Sequence, residues 1–273
     1  MKIRIVRFFR HAKLIFVALY RFLRGRVSAK TLKFLHNYSL LRFIIDFKEV
    51  NLFSIKTIID GGANRGHFSQ LLLRLNPTVS IHAFEPLATK EFSVSPDSCY
   101  SSMEKLKDHY CNFHYSSNAL SDAESIELFN VTSFDECSSL LKPPSDANFT
   151  DSFNVIKSFD VHCITLEKFI IDNNIAEVNL LKLDLQGAEL KALKGAGKML
   201  SKFDFIFAEL NLNRIYEQLA SISEVVEYLH EYNFIFVDIK KVIRTADGSI
   251  TQVDGLFAKK SNISIQTVSS LVH

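Results

Sequence analysis

The chain has 273 residues, of which 47% are hydrophobic and 23% are charged, a composition typical of a globular protein with a sizeable core. Its four cysteines form no Cys-x-x-Cys pair and show no spacing suited to zinc. We therefore expect reduced thiols in a cytoplasmic protein, with neither disulfides nor a structural metal.

The net charge of +2 hides an uneven distribution along the chain. Residues 1–42 carry eleven Lys/Arg and no Asp/Glu, whereas the remainder carries 21 Lys/Arg against 30 acidic residues, a net of −9. We divide the chain into a basic helical region over residues 1–50, one domain over 51–262 and a C-terminal tail over 263–273.

The basic region has an amphipathic helical pattern, with these apolar residues on one face: Ile5, Phe8, Phe9, Ala12, Phe16, Leu19 and Leu23. The apolar run 14–20 is far shorter than the roughly 20 residues of a membrane-spanning helix, and arginines follow it where a signal peptide would be cleaved. The pattern is typical of an interfacial helix and predicts peripheral contact of residues 1–26 with the inner face of a membrane. Packing of this helix on the domain explains the same pattern. Nucleic acid is not an expected partner, because no binding motif accompanies the charge.

Apolar periodicity predicts alternating helices and strands along the rest of the chain. In chain order they are a helix over 28–50, a strand over 56–60, a helix over 67–75, a strand over 79–84, a helix over 100–108, a strand within 110–120 and a short strand over 126–131. Residues 132–158 show no strong period and are expected to be irregular. There follow a helix over 166–173, a strand over 180–185, a helix over 188–200, a strand over 203–210, a helix over 223–232, and strands over 234–240 and 255–260.

Strands that alternate with helices predict an α/β fold with a doubly wound, mostly parallel Rossmann-like sheet. The last two strands flank a turn at Asp247-Gly248 and are expected to close one edge of the sheet as an antiparallel hairpin. Ligands of such sheets bind beyond the carboxyl ends of the strands. Polar residues at those ends are therefore the candidate site residues.

The most informative segment is the glycine turn, residues 60–66, with the sequence Asp-Gly-Gly-Ala-Asn-Arg-Gly after the strand 56–60. We expect Gly62 and Gly66 to let the backbone approach a nucleotide-like ligand, and the next helix to offer free N–H groups. The spacing differs from Gly-x-Gly-x-x-Gly. The carboxylate of Asp60 would repel a pyrophosphate but suits the ammonium of S-adenosylmethionine. A tight turn without a ligand explains the glycines equally.

Other strand ends carry polar residues as well. Glu85 follows the second strand, 23 residues after Gly62, where a carboxylate can accept hydrogen bonds from a ribose diol. Lys182, Asp184 and Gln186 alternate with leucines, so they are expected to project to one side of the fourth strand. An ion pair of Lys182 with Asp184 or Glu209 would serve either the core or the reactive end of a site.

Several segments together resemble the FkbM family of S-adenosylmethionine-dependent methyltransferases. They are residues 59–66, 83–86, 119–122, 138–140, 165–167, 181–189, 193–196, 208–210 and Tyr216. The resemblance extends from about residue 55 to 260, and residues 182–189 are its most specific part. Gly61 and Glu167 depart from the residues usual at their positions. The resemblance implies O-methylation of a hydroxyl on a sugar or polyketide-like acceptor, with S-adenosylmethionine as the cofactor.

The resemblance also implies roles for individual residues. Asp184 is the expected base that takes the proton of the acceptor hydroxyl, with Lys182 orienting it and Glu209 as the second choice. The expected cofactor contacts are Asp60, Gly62, Ala63, Asn64, Gly66, Glu85, Asn118 and Ala119. The expected acceptor contacts are Gln186, Glu189, Ser139 and Tyr216, although a helix cap explains Glu189 equally.

Three alternatives stay open at this point. A divalent cation between Asp184 and Glu209 would suit their oxygens, but no third ligand is apparent and no metal is expected. The same fold serves dinucleotide-dependent oxidoreductases, which the spacing of the glycines disfavours. A non-catalytic, membrane-associated adaptor would keep the fold without the chemistry. The sequence does not indicate an oligomeric state.

Overall fold

The computed structural model describes residues 38–262, apart from 94, 144–152, 213–215, 217 and 246. The amphipathic pattern of residues 5–23 and the tail 263–273 lie outside the described residues, so both remain predictions from sequence. Of the helices that the structure describes, none combines the length and the hydrophobicity that spanning a bilayer requires.

The described residues form six α-helices and ten β-strands. The helices are α1 (Tyr38–Asp46), α2 (His67–Leu75), α3 (Cys99–His109), α4 (Leu166–Asp172), α5 (Glu189–Ala196) and α6 (Ile222–Glu231). The strands are β1 (Thr57–Gly61), β2 (Ser80–Phe84), β3 (Phe113–Ser116), β4 (Ala119–Leu120), β5 (Ser125–Thr132), β6 (Val155–Ile164), β7 (Val178–Leu183), β8 (Phe203–Asn211), β9 (Phe234–Arg244) and β10 (Ile250–Lys259).

Seven strands form one sheet in the order β3-β2-β1-β7-β8-β10-β9. The first five strands are parallel to one another, whereas β10 is antiparallel to both β8 and β9. Helices α1, α2 and α3 contribute to the core on one face, and α4, α5 and α6 contribute to the core on the other. The predicted α/β fold, with its mostly parallel sheet and antiparallel hairpin, is confirmed.

A second sheet of three strands, in the order β4-β6-β5, was not predicted. Its strand β6 begins at Val155, inside the stretch that we expected to be irregular. Along β6 only Val161 and Cys163 are buried, and exposed apolar residues such as Ile156 obscure the alternation on which the prediction depended. Helix α5 also ends before the predicted residue 200, because Gly197 takes a positive φ of 49°.

The start of the packed domain differs from the prediction. Phe43, Ile44, Phe47 and Val50 are all buried in the core that α2 shares with the sheet, so the domain begins before the expected boundary at residue 51. The helix predicted over 28–50 ends at Asp46 and gives way to turns, while residues 28–37 lie outside the described residues.

Candidate active site

The glycine turn follows β1, and its glycines are required by the protein's own packing. Gly62 has a φ of 67°, and a Cβ there would lie 1.8 Å from the carbonyl oxygen of Asp184. Gly66 has a φ of 71°, and its Cβ would lie 2.4 Å from the side chain of Leu106. A side chain is therefore excluded at both positions by sterics. The tight turn therefore accounts for both glycines, and close approach of a ligand to Gly62, which lines the cavity, remains a prediction.

The backbone N–H groups of the glycine turn are already bonded. Those of Gly62 and Ala63 both donate to the carbonyl of Phe84, at 2.9 and 3.0 Å. That of Asn64 donates to Oε2 of Glu85 at 2.8 Å. A pyrophosphate site needs such groups to point at the ligand, and at these three positions they point at the protein instead. This geometry disfavours a dinucleotide.

A cavity of about 460 Å³ opens at the carboxyl ends of β1, β2, β7 and β8. This volume lies within the range of small-molecule sites. Ten of the predicted site residues line it: Gly62, Ala63, Asn64, Glu85, Asn118, Ala119, Lys182, Asp184, Gln186 and Glu209. Five others do not line it: Asp60, Gly66, Ser139, Glu189 and Tyr216.

Glu85 is held rigidly in the wall of this cavity. Its Oε2 accepts the N–H of Asn64 at 2.8 Å, and its Oε1 accepts the N–H of Leu87 at 3.0 Å. Burial raises the pKa of Glu85, and these two N–H groups and the charge of Lys182 counteract the rise. Each carboxylate oxygen keeps a further lone pair, so the group can accept hydrogen bonds from two adjacent hydroxyls.

The wall beside Glu85 is mainly apolar. Pro86, Ala119, Leu120 and Phe129 line the cavity there, and the last belongs to the second sheet that sequence reasoning missed. Asn118 lies at the edge of this wall, where its Oδ1 accepts the hydroxyl of Ser116 at 3.0 Å. An apolar slot with an amide at its edge suits a purine ring.

Asp60 lies beneath the cavity and is fully buried. Its Oδ2 accepts the hydroxyl of Ser69 at 2.6 Å, and its Oδ1 lies 3.3 Å from Nζ of Lys182. The ammonium of Lys182 also donates to the carbonyls of Gly61 at 3.2 Å and Gly62 at 2.6 Å. The predicted contact of Asp60 with the cofactor is therefore corrected. The strand register pairs Asp60 with Lys182, so the carboxylate acts on the glycine turn through that lysine.

Asp184 immediately follows β7, and its side chain is 42% exposed. Its Oδ1 accepts the amide of Gln186 at 2.8 Å, while its Oδ2 lies 3.7 Å from Nζ of Lys182. Burial lowers the pKa of Lys182, but the charges of Asp60 and Asp184 outweigh it and raise that pKa. Lys182 is therefore a permanent cation next to an oriented carboxylate that faces the cavity.

Glu209 at the end of β8 differs from Asp184 in its environment. It is buried, and Nε2 of Gln186 lies 3.2 Å from both of its oxygens. Burial raises the pKa of Glu209 well above its ordinary value, and the charges of Asp184 and Glu189 raise it further. The protonated form of Glu209 is therefore favoured by its surroundings, whereas the side chain of Asp184 is partly exposed to the cavity.

Glu189 is the first residue of helix α5 and does not line the cavity. Its Oε1 accepts the N–H of Leu185 at 2.7 Å and that of Gly187 at 3.3 Å, and its side chain is buried. Burial raises the pKa of Glu189 to about 7, against the effect of the N–H groups it accepts. Glu189 thus holds the loop between β7 and α5 rather than capping the helix or lining the acceptor side of the cavity.

Ser139 and Tyr216, which were predicted to contact the acceptor, hold the loop after β7 instead. The hydroxyl of Ser139 donates to the backbone carbonyl of Gln186 at 2.9 Å. The hydroxyl of Tyr216 shares its proton between the carbonyl of Cys137 at 2.8 Å and Oε1 of Gln186 at 3.1 Å. Both side chains are buried, so both predictions are corrected.

Sequence reasoning missed two walls of the cavity. Arg65 of the glycine turn makes a bidentate ion pair with Asp135, at 2.7 and 3.2 Å, and so fixes the segment after β5 over the cavity. The hairpin contributes Lys241, Ile243 and Gln252. These lie beyond the ends predicted for its strands. The spacing of Arg65 and Asp135, 70 residues apart, gives no local signal.

Comparison with protein families decides the identity of the fold. The family described as Methyltransferase FkbM domain matches residues 60–236, which is more than half of the chain. The chain belongs to the FkbM methyltransferase family. Membership makes S-adenosylmethionine the cofactor and methyl transfer the reaction, and it decides against a dinucleotide-dependent oxidoreductase.

Solved structures of other methyltransferases are similar to this FkbM chain at low sequence identity. A methyltransferase FkbM from Methylobacillus flagellatus KT is 12% identical with a TM-score of 0.45, and the match covers 89% of this chain but only 58% of that one. Magnesium protoporphyrin IX methyltransferase from Synechocystis PCC 6803, with bound SAM, is 8% identical with a TM-score of 0.41 and 84% of each chain covered. Comparison with curated proteins finds no match.

The residues that line the cavity of this FkbM protein have polar and apolar groups that suit S-adenosylmethionine. Glu85 presents acceptors for the ribose hydroxyls, and the apolar slot by Asn118 suits the adenine. Acidic residues of the lining, including Asp135 and Asp184, suit a cofactor that carries a sulfonium and an ammonium. Asn64 and Ala63 line the cavity as well, and their contact with the cofactor remains a prediction.

Proposed function

We propose that this FkbM methyltransferase transfers the methyl group of S-adenosylmethionine to a hydroxyl of a sugar or glycan. The observation that carries the proposal is the half-exposed carboxylate of Asp184 in the cavity, with one oxygen held by Gln186 and the other beside Lys182. A hydroxyl is a weak nucleophile until a group within hydrogen-bond reach removes its proton. Asp184, among the proton acceptors that line the cavity, is the one at the end of β7 between Lys182 and Gln186.

The chemistry that the bound cofactor supplies is an electrophilic methyl group on a sulfonium. The protein's part is to place an acceptor oxygen in line with that methyl group at near-attack distance. Asp184 would accept the hydroxyl proton as the oxygen–carbon bond forms and the carbon–sulfur bond breaks, with S-adenosylhomocysteine as the leaving group. Lys182 keeps the carboxylate in place, and the neutral Glu209 is able to donate a hydrogen bond to an acceptor oxygen.

The acceptor side of the cavity supports a polyhydroxylated substrate. Lys241 and Gln252 bring an ammonium and an amide to this wall, and Phe207 adds an apolar ring. Hydrogen-bonding groups next to an aromatic surface suit a sugar, which has both hydroxyls and an apolar face.

Peripheral membrane attachment through residues 1–26 is part of the proposal, and it would make a lipid-linked glycan accessible. The charge of the first 42 residues supports it, as does the place where the chain enters the domain. Phe47, just after α1, packs on Phe207 with ring centroids 4.9 Å apart, and Phe43 packs on Phe68 at 5.3 Å. Phe68 and Phe207 both line the cavity, so Phe43 and Phe47 pack against residues of the cavity wall.

Calorimetry with S-adenosylmethionine, followed by transfer of tritium from labelled cofactor to the carbohydrate and lipid fractions of the producing cells, tests the proposal. We expect binding, and label in carbohydrate that Asp184→Asn abolishes while binding remains. Asp172→Asn, a matched change on the exposed end of α4, should leave both unchanged. Binding without any transfer would favour the non-catalytic adaptor, and label in protein or nucleic acid alone would refute the glycan acceptor.

A further inference from the structure

We propose that Gln186 is a positioning residue whose side-chain amide fixes Asp184 and Glu209 relative to each other. This inference builds on the proposed function and deepens it. Nε2 of Gln186 lies 2.8 Å from Oδ1 of Asp184 and 3.2 Å from each carboxyl oxygen of Glu209. One NH₂ group thus connects the end of β7 to the end of β8, where the acceptor hydroxyl has to bind.

Two oxygen atoms of Gln186 accept hydrogen bonds that hold the residue in place. Its Oε1 accepts the hydroxyl of Tyr216 at 3.1 Å, and its backbone carbonyl accepts the hydroxyl of Ser139 at 2.9 Å. Its backbone takes a φ of 53°, which non-glycine residues adopt infrequently and which the surroundings must enforce. Sequence reasoning placed Gln186, Ser139 and Tyr216 at the acceptor; the contacts show Ser139 and Tyr216 holding Gln186.

The requirement for glutamine follows from the charges around it. Asp184 and Glu209 are faced by Lys182 on β7, Glu189 on α5 and Asp254 on β10. Two carboxyl groups that contact the same amide nitrogen repel each other when both are ionised. A neutral donor of two hydrogen bonds bridges them without adding charge. Glutamate at position 186 would add a further acid, and methionine would fill the space without donating.

The orientation of the amide is determined by its partners. Tyr216 donates its hydroxyl proton and therefore needs the amide oxygen, while the accepting oxygen of Asp184 needs the NH₂ group. The opposite orientation would place an oxygen against two carboxyl groups. Tyr216 thus selects the orientation in which Gln186 donates to Asp184, and its hydroxyl extends the network to the segment over the cavity through Cys137.

Four variants test the inference. Gln186→Met removes the donor at nearly constant length, and Gln186→Glu replaces it by an ionisable group of the same shape. Tyr216→Phe removes only the hydroxyl that selects the amide orientation. Gln218→Met is the matched control, because Gln218 also has a positive φ of 60° but is exposed and does not line the cavity.

The first measurement is the pH profile of tritium transfer, and the affinity for S-adenosylhomocysteine is measured for the same variants. We expect Gln186→Met to lower kcat roughly 10²-fold, as misplacement of a reacting group does. We expect Tyr216→Phe to lower it by about tenfold or less, the effect of one hydrogen bond. The acidic limb should move to higher pH in Gln186→Met, because charged oxygens lose a donor. Gln186→Glu should regain activity as the pH falls, since its protonated carboxyl again donates.

The second measurement needs no acceptor. Carbon-13 NMR of carboxyl-labelled aspartate and glutamate follows the titration of the cluster directly, and Gln186→Met should shift titrations that Gln218→Met leaves unchanged. If the wild type transfers no methyl group to carbohydrate but these titrations shift, the proposed acceptor fails and the positioning role of Gln186 stands. Unchanged kcat, pH profile and carboxyl titrations in Gln186→Met would overturn the inference, and so would an equal loss of cofactor affinity in both methionine variants.

Discussion

Lys182 and Asp60 form a buried ion pair, with 3.3 Å between Nζ and Oδ1, directly beneath the turn that borders the cofactor cavity. The lysine donates to the carbonyls of Gly61 and Gly62 as well, and it lies beside Asp184. A single ammonium therefore connects the end of β1 to the expected base at the end of β7. Its partner Asp60 stabilises the geometry of the whole site without lining the cavity.

The first prediction concerns this pair. Asp60→Asn keeps the shape of the side chain but leaves the ammonium of Lys182 buried without its nearest charge, and it should lower the free energy of unfolding by about 3 kcal/mol. Urea denaturation measures the effect. Asp172→Asn, at the exposed end of α4, should change the same quantity by less than about 0.5 kcal/mol. Equal stability of the two variants would show that the pair does not stabilise the fold.

The second prediction concerns the cofactor. Glu85→Gln replaces a carboxylate whose oxygens are both engaged by backbone N–H groups, and one of these oxygens becomes a donor that the N–H cannot pair with. We expect the affinity for S-adenosylhomocysteine to fall about 10-fold or more, since hydrogen bonds to charged groups are worth about 1.5–3 kcal/mol. Calorimetry compares it with Glu91→Gln, a change at an exposed residue that does not line the cavity. An affinity equal to that of the control would remove Glu85 from the site.

The third prediction concerns pH and stability. Burial raises the pKa of Asp254 from its ordinary value of 3.8 to about 6, and Asp184 contributes to the rise while Lys241 opposes it. Between about pH 4 and 6 the folded chain retains a proton at Asp254 that the unfolded chain has lost. The free energy of unfolding therefore decreases as the pH rises through this window, by no more than about 3 kcal/mol at 1.36 kcal/mol per pKa unit.

Asp254→Asn should flatten this pH dependence, and urea denaturation at several pH values measures it. Asp238→Asn gives a comparison of opposite sign. Burial raises the pKa of Asp238, but its hydrogen bond and ion pair with Lys240 lower that pKa overall. Its contribution is therefore present above the unfolded pKa and is lost as the pH falls. A wild-type slope unchanged by Asp254→Asn would contradict the assignment.

The fourth prediction concerns the basic N-terminal region. Removal of residues 1–26 should abolish flotation with vesicles that contain phosphatidylglycerol, because these residues supply the cationic and apolar surface that anionic lipid attracts. Vesicles of phosphatidylcholine alone should bind the full chain weakly, and high salt should weaken binding to the anionic ones. Removal of the tail 263–273 is the matched control. Undiminished flotation after removal of residues 1–26 would refute the membrane contact.

Local sequence patterns predicted the parts of the structure that depend on short-range signals. The apolar runs of β7 and β8 and the turn at Gly248 gave the strands and the hairpin, and chain direction in a parallel sheet placed Glu85 and Asp184 at one edge. Strand β6 was not predicted because most of its residues are exposed. Its pattern carries little of the alternation that burial imposes.

The remaining differences come from contacts between residues distant in sequence. Asp60 was assigned to the cofactor because its position at a strand end is visible in the sequence, whereas its register with Lys182 is not. The hydrogen bond between Tyr216 and Gln186 is likewise not visible in the sequence. Because of it, two residues that were expected to contact the acceptor support the site instead. Register, burial and side-chain direction decide these roles, and none of the three follows from spacing alone.

The central claim is that Asp184 is the base and that Glu209 acts as a neutral group. Single-turnover transfer of tritium from labelled S-adenosylmethionine to the carbohydrate fraction, measured for Asp184→Asn and Glu209→Gln in parallel, tests it most directly. The account predicts a loss of roughly 10²–10⁴-fold in Asp184→Asn, the usual contribution of a general base. Glu209→Gln should retain most of the rate, because the amide resembles a protonated carboxyl. The opposite order of the two rates would contradict the account.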